Sequence, residues 1–155
     1  MNKTNAMRIL DSKKIKYEEI EYSSTLVNAV DISKTLNEDV NQVFKTLVTV
    51  SIKSKKHYVF VIPAAYELDL KKASIVSGEK SIEMIHQKEL LPLTGYIHGG
   101  CSPIGMKKSF TTFIDSSCLN YQEIYLSGGK VGIQIKINVK DLIEVVNATT
   151  SILTK

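Results

Sequence analysis

The stretch Gly95-Tyr-Ile-His-Gly-Gly-Cys-Ser-Pro-Ile-Gly-Met-Lys-Lys108 constrains this chain more than any other. It gathers four of the eight glycines and one of the three prolines into fourteen residues, with apolar runs on both sides. Paired glycines let a backbone take positive φ and come close to a ligand, and Pro103 stiffens the bend. A rigid loop poor in side chains can offer its backbone N–H groups to an oxyanion or a phosphate. The competing reading is a tight turn that serves only the fold.

The rest of the chain frames that loop with elements of mixed type. Residues 4–13 place Ala6, Ile9 and Leu10 on one helical face, and residues 26–37 turn Val27, Val30 and Leu36 toward a core in a second helix. Tyr17–Tyr22 reads as a short strand. The β-branched run 43–52 and its partner 57–62 predict a hairpin closed by Pro63. Asp69 and Gly78 bracket a third helix as N-cap and stop. A strand at 81–85 and a helical stretch at 88–91 precede the glycine loop. Strands follow at 111–115, 123–126 and 131–137, with Gly128-Gly129 as the hairpin turn between the last two. Asn138 caps a final helix carrying Val139, Leu142, Ile143 and Val146 at helical spacing. Strands and helices do not alternate as in a parallel α/β fold. The expectation is therefore a single α+β domain over residues 1–155, with a largely antiparallel, curved sheet.

Composition narrows the function classes. At 155 residues the chain can bury about two thirds of its unfolded surface. No apolar run approaches the ~20 residues of a membrane span, and the N-terminus has no apolar segment of a secretory signal. The expected location is the cytoplasm. Net charge is +4, and of the 20 basic residues only Arg8 is arginine. Lysine point charges suit contact with a nucleic-acid backbone, whereas reading bases in a DNA groove calls for guanidinium forks. An ordinary solvated surface gives the same composition. Cys101 and Cys118 lack CxxC spacing, so a reduced pair is expected. The three histidines and two cysteines show no metal spacing, and no cofactor loop is present.

Few side chains stand out as chemistry. Lys45 lies between apolar neighbours on a central strand, so it must face a cleft or snorkel to water. His98 and Cys101 invite a nucleophile reading, but sequence proximity supplies neither a lowered thiol pKa nor a matched base. A small buried cysteine is the simpler expectation. Gly100-x4-Gly105 echoes a phosphate loop, yet Met106 stands where that motif needs lysine and Pro103 removes a donor. Asp115 and Ser127-Gly128-Gly129-Lys130 complete the set, each more often structural. With no convincing nucleophile or metal set, a binding protein or an enzyme that works by positioning fits best.

Five motifs in register extend this reading. Gln42-Val-Phe-Lys-Thr-Leu-Val48, Leu68-Asp-Leu-Lys-Lys72, the 95–108 loop, Thr112-x-x-Asp115 and Ile124-Tyr-x-Ser-Gly-Gly-Lys130 resemble the YbaK/EbsC proteins. The resemblance runs from about residue 5 to 147. Those proteins are free-standing relatives of the editing domain of bacterial prolyl-tRNA synthetases. The resemblance implies a barrel-like mixed sheet wrapped by helices and a deacylase that removes cysteine from proline tRNA. It implies no cofactor, the tRNA acceptor end as partner, and prolyl-tRNA synthetase as a second partner. It makes Lys45 the essential lysine and sets Gly100 and Ser102 beside it at the reacting ester. Tyr22, Thr46, Gly99, Cys101, Asp115, Ser127, Gly128 and Gln134 become substrate-binding residues, with Asp115 bracing the loop. Gln134 stands where the best-known members carry Asp, which removes a charge that could hold the substrate's α-ammonium. Deacylation of another small residue such as alanine, or non-catalytic binding of tRNA or a synthetase, are the alternative functions.

Overall fold

Two β-branched runs joined by a polar turn form the centre of the fold. β2 (Phe44–Ser51) and β3 (His57–Pro63) pair antiparallel, from Phe44 opposite Pro63 to Val50 opposite His57. Alternation along β3 sends Tyr58, Phe60 and Ile62 to one core and Val59 and Val61 to another, and all five are buried. The computed structural model describes residues 3–26 and 28–155, so the core placement expected for Val27 lies outside it.

Capping chemistry sets the helix starts. α1 (Asn5–Ser12) begins at Thr4, whose hydroxyl accepts from the Met7 N–H and donates to the Gly128 carbonyl. β1 (Tyr17–Glu21) follows, then α2 (Ala29–Thr35), capped by Asn28. After the central hairpin, α3 (Leu70–Ser77) starts at Asp69, which accepts from the Lys71 and Lys72 amides. It stops at Gly78 with φ +74°. β4 (Ile82–Met84) and α4 (Leu90–Thr94) lead into the glycine loop. Beyond it lie β5 (Thr111–Asp115), β6 (Glu123–Lys130), β7 (Ile133–Asn138), α5 (Val139–Val145) and β8 (Thr149–Ser151).

The strands form two sheets, in the orders β1-β7-β6 and β4-β2-β3-β5-β8. Pairing is antiparallel except at β3-β5 and β5-β8, which gives the mixed, mostly antiparallel α+β architecture expected. The two sheets do not close into one barrel; a Val43–Tyr125 bridge joins β2 to β6 between them. The larger core fills the space between the sheets with α1 and α5, and the smaller lies under α3.

Two details differ from the sequence reading. Gly128-Gly129 is not the β6–β7 turn: the register slips between Ser127 and Lys130, and the turn is the next pair, Val131-Gly132. The glycines form an irregularity inside β6 because Ser127 Oγ accepts the Gly129 N–H at 3.1 Å and Thr4 takes the Gly128 carbonyl at 2.6 Å. β8 is unforeseen; three polar residues pair parallel to β5, and a Leu68–Thr154 bridge secures the chain beyond.

Candidate active site

The gap between the sheets makes the site. β4 covers β2 only over residues 49–51, so the Phe44–Leu47 end of β2 stands free of that neighbour, facing β6 and β7. A cavity of about 210 Å³ opens there. Ala29 and Ile32 of α2, Leu47, Leu90 and Leu126 give it apolar walls. The volume is below the ~300–1,000 Å³ of drug-sized pockets, so it suits an aminoacyl group and part of its ester partner better than a whole nucleotide.

Of the residues singled out in the sequence, Tyr22, Lys45, Thr46, Gly99, Cys101, Ser127 and Gln134 line this cavity, and His98 joins them. Residues spread over more than a hundred positions of sequence thus converge on one hollow. Lys45 is partly buried in the wall, and among the described residues no hydrogen bond or ion pair engages its ammonium. Burial holds its pKa below the ordinary lysine value, and the Glu67 carboxylate pulls it partly back. A cation held this way is short of an anionic partner.

The glycine loop is a closed excursion with a rigid base. Lys107 N–H bonds the Thr94 carbonyl at 3.0 Å, and the Thr94 hydroxyl accepts the Tyr96 amide at 3.0 Å. Tyr96 Oη then donates to the Ile104 carbonyl at 2.5 Å across the loop. Ser102 is fully buried, and its Oγ accepts the Ile104 N–H at 3.1 Å. The hydroxyl expected at the ester is instead turned into the loop, where it stabilises the bend around Pro103. Gly100 is also absent from the lining. A Cβ there would sit 2.9 Å from Val131 N and 3.0 Å from Lys130 C, so this glycine lets the loop rest on the β6–β7 turn.

Gly128 likewise serves close packing, since a Cβ would meet Ile133 at 2.7 Å. Asp115 does not reach the cavity lining. Its carboxylate accepts from Ser117 N–H and Oγ–H and, at 2.9 Å, from the Leu153 amide, which ties β5 to the C-terminal segment rather than to the glycine loop.

The protein-nucleophile reading fails on geometry and charge. Cys101 faces the cavity, but burial pushes its thiol up to about 12, so it stays protonated at neutral pH. No hydrogen bond links His98 to Cys101, Ser127 or Thr46 among the described residues. What the lining does hold is unspent polarity: among the described residues Thr46 Oγ1 and Gln134 Oε1 are buried without partners, and Ser127 keeps its O–H to donate. The arrangement offers a cation, orphan acceptors and glycine backbone around an apolar hollow. Among the described residues no hydroxyl or thiol of the lining is hydrogen-bonded to a base that would activate it.

Sequence reasoning missed the scaffolding. Thr4 bonds Gly128 and the Asn5 amide bonds the Gly105 carbonyl at 2.6 Å, so two adjacent residues at the start of α1 fix both glycine bends. The sequence reading began the first helix at residue 4 without assigning Thr4 a role, and nothing local to it reveals partners a hundred residues away. Glu38, beside Gln134, was missed altogether.

Residues 24–145 match the family described as aminoacyl-tRNA editing domain. The chain is 44% identical over 147 residues to "Putative Cys-tRNA(Pro)/Cys-tRNA(Cys) deacylase EbsC" of Enterococcus faecalis (strain ATCC 700802 / V583), covering 94% of this chain and 89% of that protein. Among solved structures, "a putative trans-editing enzyme for prolyl tRNA synthetase" superposes with TM-score 0.86 at 24% identity, over 100% of this chain and 99% of that one. A hypothetical protein superposes with TM-score 0.89 at 17% identity, over 97% and 99%. At those identities the structural likeness speaks for the fold alone. The family match spans most of the chain, and the protein belongs to the aminoacyl-tRNA editing domain family.

Proposed function

We propose that this protein is an aminoacyl-tRNA deacylase that acts in trans and removes cysteine mischarged on tRNA(Pro). The observation that carries the reading is the Lys45 ammonium in the wall of a small cavity, without a hydrogen-bond or ion-pair partner among the described residues, where burial keeps the one thiol of the lining protonated. The 44% identity to a protein named for Cys-tRNA(Pro)/Cys-tRNA(Cys) deacylation supports the substrate class. Such an enzyme answers a physical need. A pocket built for proline discriminates poorly against a residue of similar size, because small apolar differences are worth only ~1–3 kcal/mol.

The chemistry that fits a site without a nucleophile is self-cleavage. The cysteinyl thiol, as thiolate, attacks its own ester carbonyl; the S–C bond forms as the C–O bond to the terminal ribose breaks. The ribose oxygen takes up a proton, and cysteine leaves as a cyclic thioester that water then opens. Intramolecular attack gains up to roughly 7–11 kcal/mol from orientation when the reacting atoms are held in line. In this scheme Lys45 grips the terminal phosphate or the carbonyl oxygen. The backbone N–H groups of Gly99 and Cys101, which line the cavity, offer donors to the developing oxyanion. Gly100 N–H is held by the Ile97 carbonyl, and Tyr22 and Ser127 hold the ribose or aminoacyl group. Gly100, Ser102 and Gly128 shape the bends, and Asp115 holds β5 in place behind them.

One editing unit over the whole chain, the cytoplasm as its place of work and an association with prolyl-tRNA synthetase all follow from this reading. The test acylates one tRNA(Pro) with cysteine, alanine or serine in turn. Self-cleavage predicts release of cysteine and near inactivity on alanine, which has no thiol. Equal release of alanine would contradict the thiol's role and favour general small-residue editing, and tRNA binding without any release would favour a non-catalytic module.

A further inference from the structure

Self-cleavage needs a base, because sulfur attacks as thiolate and its proton must go elsewhere. An apolar hollow resists that ionisation: the Cys101 thiol in the lining is pushed by burial up to about 12. A cysteinyl thiol drawn in beside it meets the same resistance. The other polar side chains of the lining are the Tyr22, Thr46 and Ser127 hydroxyls, the Gln134 amide, the Lys45 ammonium and the His98 imidazole, with no carboxylate among them. Hydroxyls and amides take up no proton near neutral pH, and an ammonium already carries its own. Histidine is the residue type that accepts and releases one there.

The backbone presents His98 on a rigid corner. Gly100 N–H bonds the Ile97 carbonyl at 2.9 Å, which closes a four-residue turn with His98 and Gly99 at its centre. Gly99 supplies a φ of +85°. The corner is backed by the β6–β7 turn: a Cβ on Gly99 would meet Val131 Cγ2 at 3.4 Å, and one on Gly100 would meet Val131 N at 2.9 Å. His98 lines the cavity yet is exposed, and among the described residues no hydrogen bond or ion pair holds its ring. An imidazolium at the wet mouth escapes the cost of burying a charge. The titratable and charged groups around it are Lys45 on β2, with Glu67 beyond it, and Tyr22 after β1. Its own loop adds Cys101 and, against Gly95, Lys107; Lys130 stands where the β6–β7 turn meets Gly100. Among the described residues α2, α4, β6 and β7 line the cavity with none.

We propose that His98 is the general base that takes the proton of the substrate's thiol; the inference rests on the deacylase reading. A ring nitrogen of neutral His98 accepts that proton as the sulfur attacks the ester carbonyl. The S–C bond forms and the carbonyl pair moves onto oxygen; its return breaks the C–O bond to the ribose. The imidazolium, exposed at the mouth, hands its proton to water, and the departing ribose oxygen draws one from water. His98 ends neutral, and no proton is gained or lost in the sum.

The experiment measures kcat/KM for Cys-tRNA(Pro) from mild acid to mild alkali with wild type, His98→Gln and His98→Asn, and records melting curves for all three. Wild type shows an acid limb on which activity rises as the imidazole loses its proton. At pH 7 both variants fall by about 100-fold, and the gap narrows in alkali as more of the ester arrives already ionised. Selenocysteinyl-tRNA(Pro) is the control, because a selenol is ionised at neutral pH and needs no base. Both variants cleave it as fast as wild type, which a merely structural role for His98 would not allow. The proposal is overturned if the variants, at unchanged Tm, lose both esters alike or show a gap that is constant with pH. If wild type releases cysteine and the variants release it equally, the base assignment falls and the deacylase reading stands. If wild type releases no cysteine at any pH, the deacylase reading falls and this proposal with it.

Discussion

Lys45 shows at the scale of one residue how function and stability oppose each other. Its folded pKa is held below the ordinary value, chiefly by burial. A depressed lysine pKa means the folded state disfavours the charged form, so the charge weakens folding at neutral pH. That cost disappears as pH rises from the lowered pKa through the ordinary one. Lys45→Met should therefore raise Tm at pH 7, with the gain vanishing in alkali, as read by thermal melts across pH. The same substitution should lower kcat/KM by roughly 10–150-fold, a familiar trade of stability against activity. In wild type, kcat/KM should fall as pH climbs through the lowered Lys45 pKa. Glu38 runs the other way. Burial raises its pKa, so the folded state binds its proton more readily, and stability from this group grows on acidification through the raised value. Glu38→Gln should match or exceed wild-type stability at pH 7 and lose that advantage in acid.

At the scale of elements, the glycine bends work as a pair because three contacts hold them in register. Thr4 grips Gly128, Asn5 grips Gly105, and Gly100 rests on the Lys130–Val131 backbone. Gly100→Ala should cost about 1–3 kcal/mol by forcing backbone away from backbone, with a matching loss of deacylation. Thr4→Val removes a helix cap and a bend contact together. It should cost about 1 kcal/mol and lower Tm by about 2–4 °C, measured by calorimetry. These contacts also mark where the sequence stopped being legible. The β2–β3 hairpin, α3 between Asp69 and Gly78, and α5 behind Asn138 were readable because their signals are local: β-branched alternation, side-chain caps, a left-handed stop. β8 was not, because three polar residues become a strand only when β5 lies alongside. Gly128-Gly129 looked like a turn because glycine pairs usually are; only Thr4, 124 residues away, turns them into an irregularity inside β6. Of the cavity lining, Lys45 and Ser127 lie in the motifs and Gln134 was singled out only as a departure from the family's pattern, while the inward turn of Ser102 and the ties of Asp115 depended on partners that no spacing reveals.

For the molecule as a whole, a modest electrostatic grip matches a small cavity. Net charge is +4 with one arginine, and the site contributes a single lysine. Contact with a few phosphates of a single-stranded acceptor end predicts a shallow salt dependence: the KM for tRNA should rise by no more than about tenfold between 50 and 200 mM salt. Identity of the tRNA then has to come from elsewhere, which is where a synthetase partner would act. Two sheets that part at one end leave the hollow, and the glycine bend that walls it brings in His98 and a Cys101 thiol kept protonated by burial. The most direct test is release of radiolabelled cysteine from Cys-tRNA(Pro) by wild type and by Lys45→Ala in one assay, with melting curves for both. The account predicts rapid release by wild type and a loss of roughly 10–150-fold in kcat/KM for the variant, at undiminished Tm. Full activity in Lys45→Ala would contradict it.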